Sequence, residues 1–267
     1  MAIRPVCTPA RLALSSTRLA SSFDSPCTAA GEHLGAGGSL QAAPAGGVMR
    51  ILVLDAALAR CSAAIVSDDR IVALRQHMVD RGQAALLPGM AADLFSESSI
   101  QAGELDLVAV TVGPGSFTGI RAGLALACGI GLAAGVPIVG VSVGEALAES
   151  LPYLGNRELW SAIDSRRGRV FLERTGGRIG GYTLDLLPVP DGPVAVAGDA
   201  AIDTAAWLAA LDANVMLTDA RFPQPRHIAI AACRRRTGEL PPLAVQPLYV
   251  DPPEARLPAA PRPAPAV

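Results

Sequence analysis

The sequence predicts an α/β fold with mixed sheets, arranged as two lobes over residues 49–150 and 151–251. Three observations carry that prediction. The 267 residues are 51% hydrophobic and 17% charged, which is enough apolar side chain to bury sizeable cores. At roughly 100–200 residues per domain, the length allows one large domain or two small ones. Short apolar runs of strand length then alternate with segments of helical spacing, and three successive strands precede a helix–strand–helix–strand series.

Arg50–Asp55 (RILVLD) is an apolar run ending on an acid, which reads as a buried strand. Cys61–Ser67 and Ile71–His77 follow as strands, with Asp68-Asp69 as the turn between them. Leu86, Leu87, Met90, Ala91, Leu94 and Phe95 recur at helical spacing. Pro88 falls inside that pattern, so it sits in the first turn or kinks the helix. Leu105–Val112 is almost continuously apolar, as in a strand buried on both faces. Phe117–Ala134 reads as a helix and Val136–Val141 as the next strand. In the second lobe, Leu159–Asp164 and Val170–Arg174 read as strands around an Arg-rich turn. A strand at Val194–Ala197, a helix across Ala200–Leu211, a strand at Val215–Leu217 and a helix at Arg226–Arg236 complete it.

The flanks differ in composition. Residues 1–48 are rich in Ala, Ser, Gly and Pro, and Arg4, Arg11 and Arg18 precede the first acid, Asp24. A secretory signal needs an apolar stretch that this segment lacks. A mitochondrial-type transit segment is Arg- and Ser-rich and poor in acids. The third reading is a disordered extension with Met49 as the true start. The Pro/Ala-rich tail over 252–267 also reads as unstructured.

Composition excludes several chemistries. The chain contains no lysine; all 22 basic residues are arginine. A Walker-A loop, a protein kinase site and a Schiff-base enzyme each need a lysine. A formal net charge of -2 argues against a dominant nucleic-acid surface. The five cysteines, Cys7, Cys27, Cys61, Cys128 and Cys233, form no C-x-x-C pair, which points away from a disulfide framework and towards a reducing cytoplasm. His33, His77 and His227 have no metal-ligand spacing, so no metal or other cofactor is expected.

Four segments hold candidate functional residues. Gly113-Pro114-Gly115-Ser116-Phe117-Thr118-Gly119 joins a strand to a helix. Glycines there either let backbone N–H groups approach an anion, or make a tight turn with Ser116 or Thr118 as helix cap. The spacing is neither the dinucleotide-binding fingerprint nor a nucleophile elbow. Asp55, at a strand end before a hairpin, either faces a metal–phosphate group or caps the turn. Arg166, Arg167 and Arg169 meet an anion or decorate a solvated hairpin. The run from Ala122 to Ala134 (AGLALACGIGLAA) has no polar side chain and must be covered all round, yet it is shorter than the ~20 residues that span a membrane. One sheet covers one face, so the other face, beside the helix around Leu86, meets either more of this chain or another protein.

RILVLDAALARCSAAIV, then VTVGPGSFTGIRAGLALACGIGLAAGVPIVGVSVGEALA, then AIDSRRGRVF, resemble the bacterial TsaB (YeaZ) family, from Met49 to about Tyr249. The resemblance implies an actin-like, sugar-kinase-type (ASKHA) fold of two lobes. It also implies an accessory subunit, not catalytic by itself, of the machinery that makes threonylcarbamoyladenosine at position 37 of tRNAs reading ANN codons. The implied partners are a catalytic paralogue, TsaD, as heterodimer, and a small ATPase, TsaE, with tRNA engaged only through the complex. The paralogue carries metal-binding histidines where this chain has Val143 and Leu147.

On this reading Leu86, Met90, Leu94, Leu124 and Ile130 form the partner interface, and the same face makes a homodimer when the chain is alone. Asp55, Gly113, Gly115 and Ser116 are the candidate nucleotide-binding residues, and no residue is expected to be catalytic. Three departures from relatives stand out: Arg169 replaces a usual Glu, Tyr249-Val250-Asp251 replaces Tyr-Leu-Arg, and Gly82 replaces a common His. Ala56 and Ala57 also stand where relatives often have hydroxyls. The rival reading is a nucleotide phosphotransferase or ATPase using Asp55 and the glycine loop. A protease reading fails for want of any Ser/His/Asp or metal constellation.

Overall fold

β1 (Arg50–Asp55), β2 (Arg60–Ser67) and β3 (Arg70–Met78) form an antiparallel meander in the computed structural model, which describes residues 48–250. The expected extension and tail over 1–48 and 252–267 lie outside the described residues, apart from Val48. α1 (Gln83–Ser98) then leads to β4 (Leu107–Gly113), α2 (Phe117–Ala134), β5 (Ile138–Ser142) and α3 (Val143–Glu149). β4 pairs parallel with both β1 and β5, so the first sheet has the order β3-β2-β1-β4-β5.

β6 (Glu158–Asp164), β7 (Val170–Arg174) and β8 (Arg178–Tyr182) repeat the meander. β9 (Val194–Ala197), α4 (Ala201–Ala210) and β10 (Val215–Leu217) come next, and α5 (Pro225–Arg236) ends the regular structure. The second sheet runs β10-β9-β6-β7-β8, with β9 parallel to β6. Read from its meander, it has the same strand order as the first. This doubled arrangement is the expected two-lobed α/β fold with mixed sheets.

The alternation within β1 explains the layers. Leu52 and Leu54 enter one core with Leu87, Leu94, Leu124 and Ala127 from α1 and α2. Ile51 and Val53 enter another with Ile228, Ala229, Ala231 and Ala232 from α5. The near-continuous apolar run of β4 therefore does mark burial on both faces. The helix over 225–236 departs from expectation. Instead of completing the second lobe, it packs on the first sheet and against α3. Its apolar face covers what α1 and α2 leave bare, a long-range choice that local periodicity does not encode. The first core continues into the second sheet through Leu159, Ile163, Ala195 and Ala197.

Two expected elements differ in detail. Pro88 lies in the interior of α1, past its first turn. α2 is 18 residues long with mean hydropathy 1.5, so by length and composition it is long and apolar enough to cross a membrane. Here it packs on β4 and α1, and only a third of it is buried. Short α3 and β8 escaped the sequence reading, being too brief for a clear period.

Candidate functional site

The C-terminal ends of β1 and β4 bring Asp55, Gly113, Gly115 and Ser116 to one edge of the first sheet. Asp55 is fully buried. Its Oδ1 accepts from Thr111 Oγ1 at 2.7 Å and from the Ala57 N–H at 3.1 Å, while Oδ2 has no partner. Burial pushes this carboxyl above its ordinary range, against the pull of those two hydrogen bonds and of Arg60. The neighbouring Cys61 thiol is pushed up to about 12, by burial first and then by Asp55. It is an inert thiol. The Arg60 guanidinium lies over the Phe222 ring at 5.2 Å, and burial lowers its pKa.

The glycine turn closes onto the β1–β2 loop. Gly115 has φ +152°, and a Cβ there would lie 2.2 Å from the Ala57 carbonyl oxygen. A Cβ on Gly119 would lie 2.0 Å from the Ala56 carbonyl oxygen. The Ser116 N–H donates to Ala57 O at 2.7 Å, and Ser116 Oγ accepts from the Gly119 N–H at 3.2 Å. The geometry contains the tightly packed, capped turn that was one of the two readings of this loop. The amides of Ser116 and Gly119 already have protein partners.

Between the two sheets lies a cleft lined by Ser116, Asp80, Gln83, Asp164, Arg166 and Asp199, with about 270 Å³ of space including the part open to solvent. The Asp164 N–H donates to Asp199 Oδ1 at 2.9 Å, and Asp164 Oδ1 accepts from the Arg166 N–H at 2.8 Å. The Arg166 guanidinium lies 3.6 Å from Asp164 and 3.9 Å from Asp80. Burial and then the like charge of Asp164 push the Asp199 carboxyl up, against its hydrogen bond with the Asp164 N–H. Three carboxylates around one guanidinium disfavour a polyphosphate. Of the four nucleotide-binding candidates only Ser116 lines this cleft. Among the described residues no group of three or more His, Cys, Asp or Glu is placed to hold a metal.

The expected partner residues divide. Met90, Leu94 and Leu124 are buried in the core of this chain, so their assignment to an interface is corrected. They point at the sheet because helical spacing marks an apolar face without saying which of two apolar faces turns inward. Leu86 is 38% exposed and Ile130 half-buried. The open face of α2 carries Ala125, Gly129, Leu132 and Ala133, with Leu132 73% exposed. At its start, Arg121 lies 3.6 Å above the Phe117 ring and donates to Tyr249 Oη at 2.6 Å. The i,i+4 spacing of Phe117 and Arg121 is a local signal for half of this cluster, and the sequence reading did not use it. Tyr249 arrives from far along the chain and gave no signal. Val143 and Leu147 are fully buried among core side chains.

A family model described as TsaD, tRNA N6-adenosine threonylcarbamoyltransferase, matches residues 77–225, more than half of the chain. The Escherichia coli K12 protein named tRNA threonylcarbamoyladenosine biosynthesis protein TsaB is 34% identical over 124 residues, covering 46% of this chain and 53% of that protein. A tRNA N6-adenosine threonylcarbamoyltransferase of Ruegeria sp. TM1040 is 38% identical over 82 residues, covering 28% of this chain and 22% of that one. The chain thus spans about half the length of the TsaB relative and less of the transferase. A crystal structure from Pseudomonas aeruginosa, of a protein with similarity to peptidase YEAZ, superposes with a TM-score of 0.62 at 22% identity. It covers 76% of this chain and 100% of that chain, and supports the fold.

Proposed function

Because this chain belongs to the family of the TsaD model, and within it to the TsaB (YeaZ) proteins, we propose that it serves tRNA threonylcarbamoyladenosine biosynthesis as an accessory subunit. In this reading it heterodimerises with the catalytic paralogue TsaD, the ATPase TsaE joins them, and the tRNA is engaged by the complex. The observation that carries the reading is α2: an 18-residue apolar helix only one-third buried. An all-apolar helix needs cover on every side, and among the described residues Ala125, Gly129, Leu132 and Ala133 form an exposed face.

Two further features support a subunit that is not catalytic by itself. Val143 and Leu147, which fall at the paralogue's metal-binding histidines, are buried apolar side chains. Asp55 and the glycine turn form a packed joint in place of an open phosphate cradle. In this reading the chain acts in the cytoplasm.

The test is co-purification with the paralogue, then reconstitution on tRNA with threonine, bicarbonate and ATP. We expect co-elution, and modification that stops when this chain is omitted. Leu132→Arg should fold normally yet weaken the heterodimer at least tenfold. Separate elution, or full modification without this chain, overturns the reading.

A further inference from the structure

Glu173 is the penultimate residue of β7, in register with Ser161 of β6 and Ile179 of β8. It is 6% exposed. Its carboxyl leaves the second sheet and reaches the β5–α3 junction of the first half. One oxygen accepts from Ser142 Oγ, and the other accepts from the Gly144 N–H at 2.8 Å. A Cβ on Gly144 would sit 2.3 Å from the Glu173 carboxyl carbon, so a glycine is what admits the contact.

The charged groups around it are Glu145 on α3 and Arg235 on α5, and these two pair with each other. Arg235 also donates to Gly140 O at 2.6 Å. The nearest cation therefore has other partners, and Ser161 and Ile179 beside Glu173 in the sheet do not ionise in the ordinary range. Nothing in the accessory role uses this buried acid.

We propose that Glu173 is a proton-linked strut between the two sheets, holding β7 to the β5–α3 junction when neutral and releasing it more readily when ionised. The direction comes from solvation. In the closed contact the carboxyl is out of water, and burial raises its pKa from the ordinary 4.5 to about 7. The Ser142 and Gly144 hydrogen bonds pull it down, Glu145 adds to the rise, and Arg235 opposes it. When the contact parts, water reaches the carboxyl and its ordinary value returns. A group whose pKa is higher in the closed state favours closure below its open-state value and loses that effect as pH rises through its closed-state value. The parted fraction should therefore grow roughly fifty-fold between pH 5 and 7.5, and level off above.

Amide hydrogen exchange on the full chain tests this. Rates for Gly144 and Glu145 are corrected for intrinsic exchange and compared with β1 amides, which report global unfolding. Gly144 protection should fall roughly fifty-fold from pH 5 to 7.5 while β1 changes little, and the fall should vanish in Glu173→Gln. Constant protection in the wild type overturns the proposal. So does an equal fall in β1, or a fall that survives in the variant. If Glu173→Gln does not fold, the wild-type carboxyl is followed by carbon-13 NMR: titration near pH 7 supports the strut, and titration near 4.5 overturns it.

Discussion

The two sheets end in the same construction and use it differently. In the first half, β1 ends on Asp55 and β4 runs through Gly113–Gly115 into a helix. In the second, β6 ends on Asp164 and β9 runs through Gly198 into α4. Both glycine turns are pressed on backbone. A Cβ at Gly115 would meet Ala57 O at 2.2 Å, and one at Gly198 would meet Ala162 O at 2.1 Å. The loops beyond the two acids differ. After Asp55 come Ala56, Ala57 and Leu58, all buried. After Asp164 come Ser165, Arg166 and Arg167, with Arg166 and Arg167 exposed. The first acid is thus sealed away and the second stays at a charged cleft. Topology fixes where an acid stands; the few loop residues beyond it decide whether water reaches it.

The largest expected effect comes from a charge placed under the sealed end. Leu124→Arg puts an unpaired cation into the first core at a cost of about 3–5 kcal/mol or more, a large part of a typical domain's stability. Cooperative thermal unfolding should be lost, whereas Leu132→Arg on the open face should melt within a few degrees of wild type. If both melt alike, the assignment of the two faces of α2 fails.

Next come the glycine turns. Gly115→Ala and Gly198→Ala combine a left-handed φ with a backbone clash, so each should cost more than the ~1–3 kcal/mol of backbone strain alone. Denaturant titration compares them with Gly176→Ala, which has positive φ but open space. A mild Gly198→Ala would mean that the second turn is looser than the first.

Smaller effects separate the two acids. Burial raises the Asp55 carboxyl, so its stabilising contribution is present at low pH and is lost as pH rises through the raised value. Asp55→Asn should therefore gain stability relative to wild type between pH 4 and pH 8, seen in paired melts across that range. Asp164→Asn and Arg166→Ala touch a half-exposed pair and should stay within about 1 kcal/mol of wild type, with little change in melting temperature. A flat difference for Asp55→Asn would show that its carboxyl is solvated after all.

Much of this was legible in the sequence because the runs are strongly periodic. β1, β4, β9 and α2 each carry an apolar pattern with few alternatives, and Ser116 as helix cap was one of two open readings. The misreadings share a cause. Met90, Leu94 and Leu124 sit on helices apolar on more than one face, where spacing gives no inward direction. α5 crosses back to the first sheet because an uncovered apolar face waits there, a fact held by distant residues. Glu173 and Tyr249 meet their partners 29 and 128 residues away in the chain, beyond the reach of local pattern.

Phosphate chemistry by the purified chain alone is the most direct test of the sealed first site. With ATP and magnesium, calorimetry should show no saturable binding, and phosphate release should match buffer, for wild type and Asp55→Asn alike. ATP hydrolysis by the chain alone that disappears in Asp55→Asn would contradict the account and make the chain a phosphotransfer enzyme.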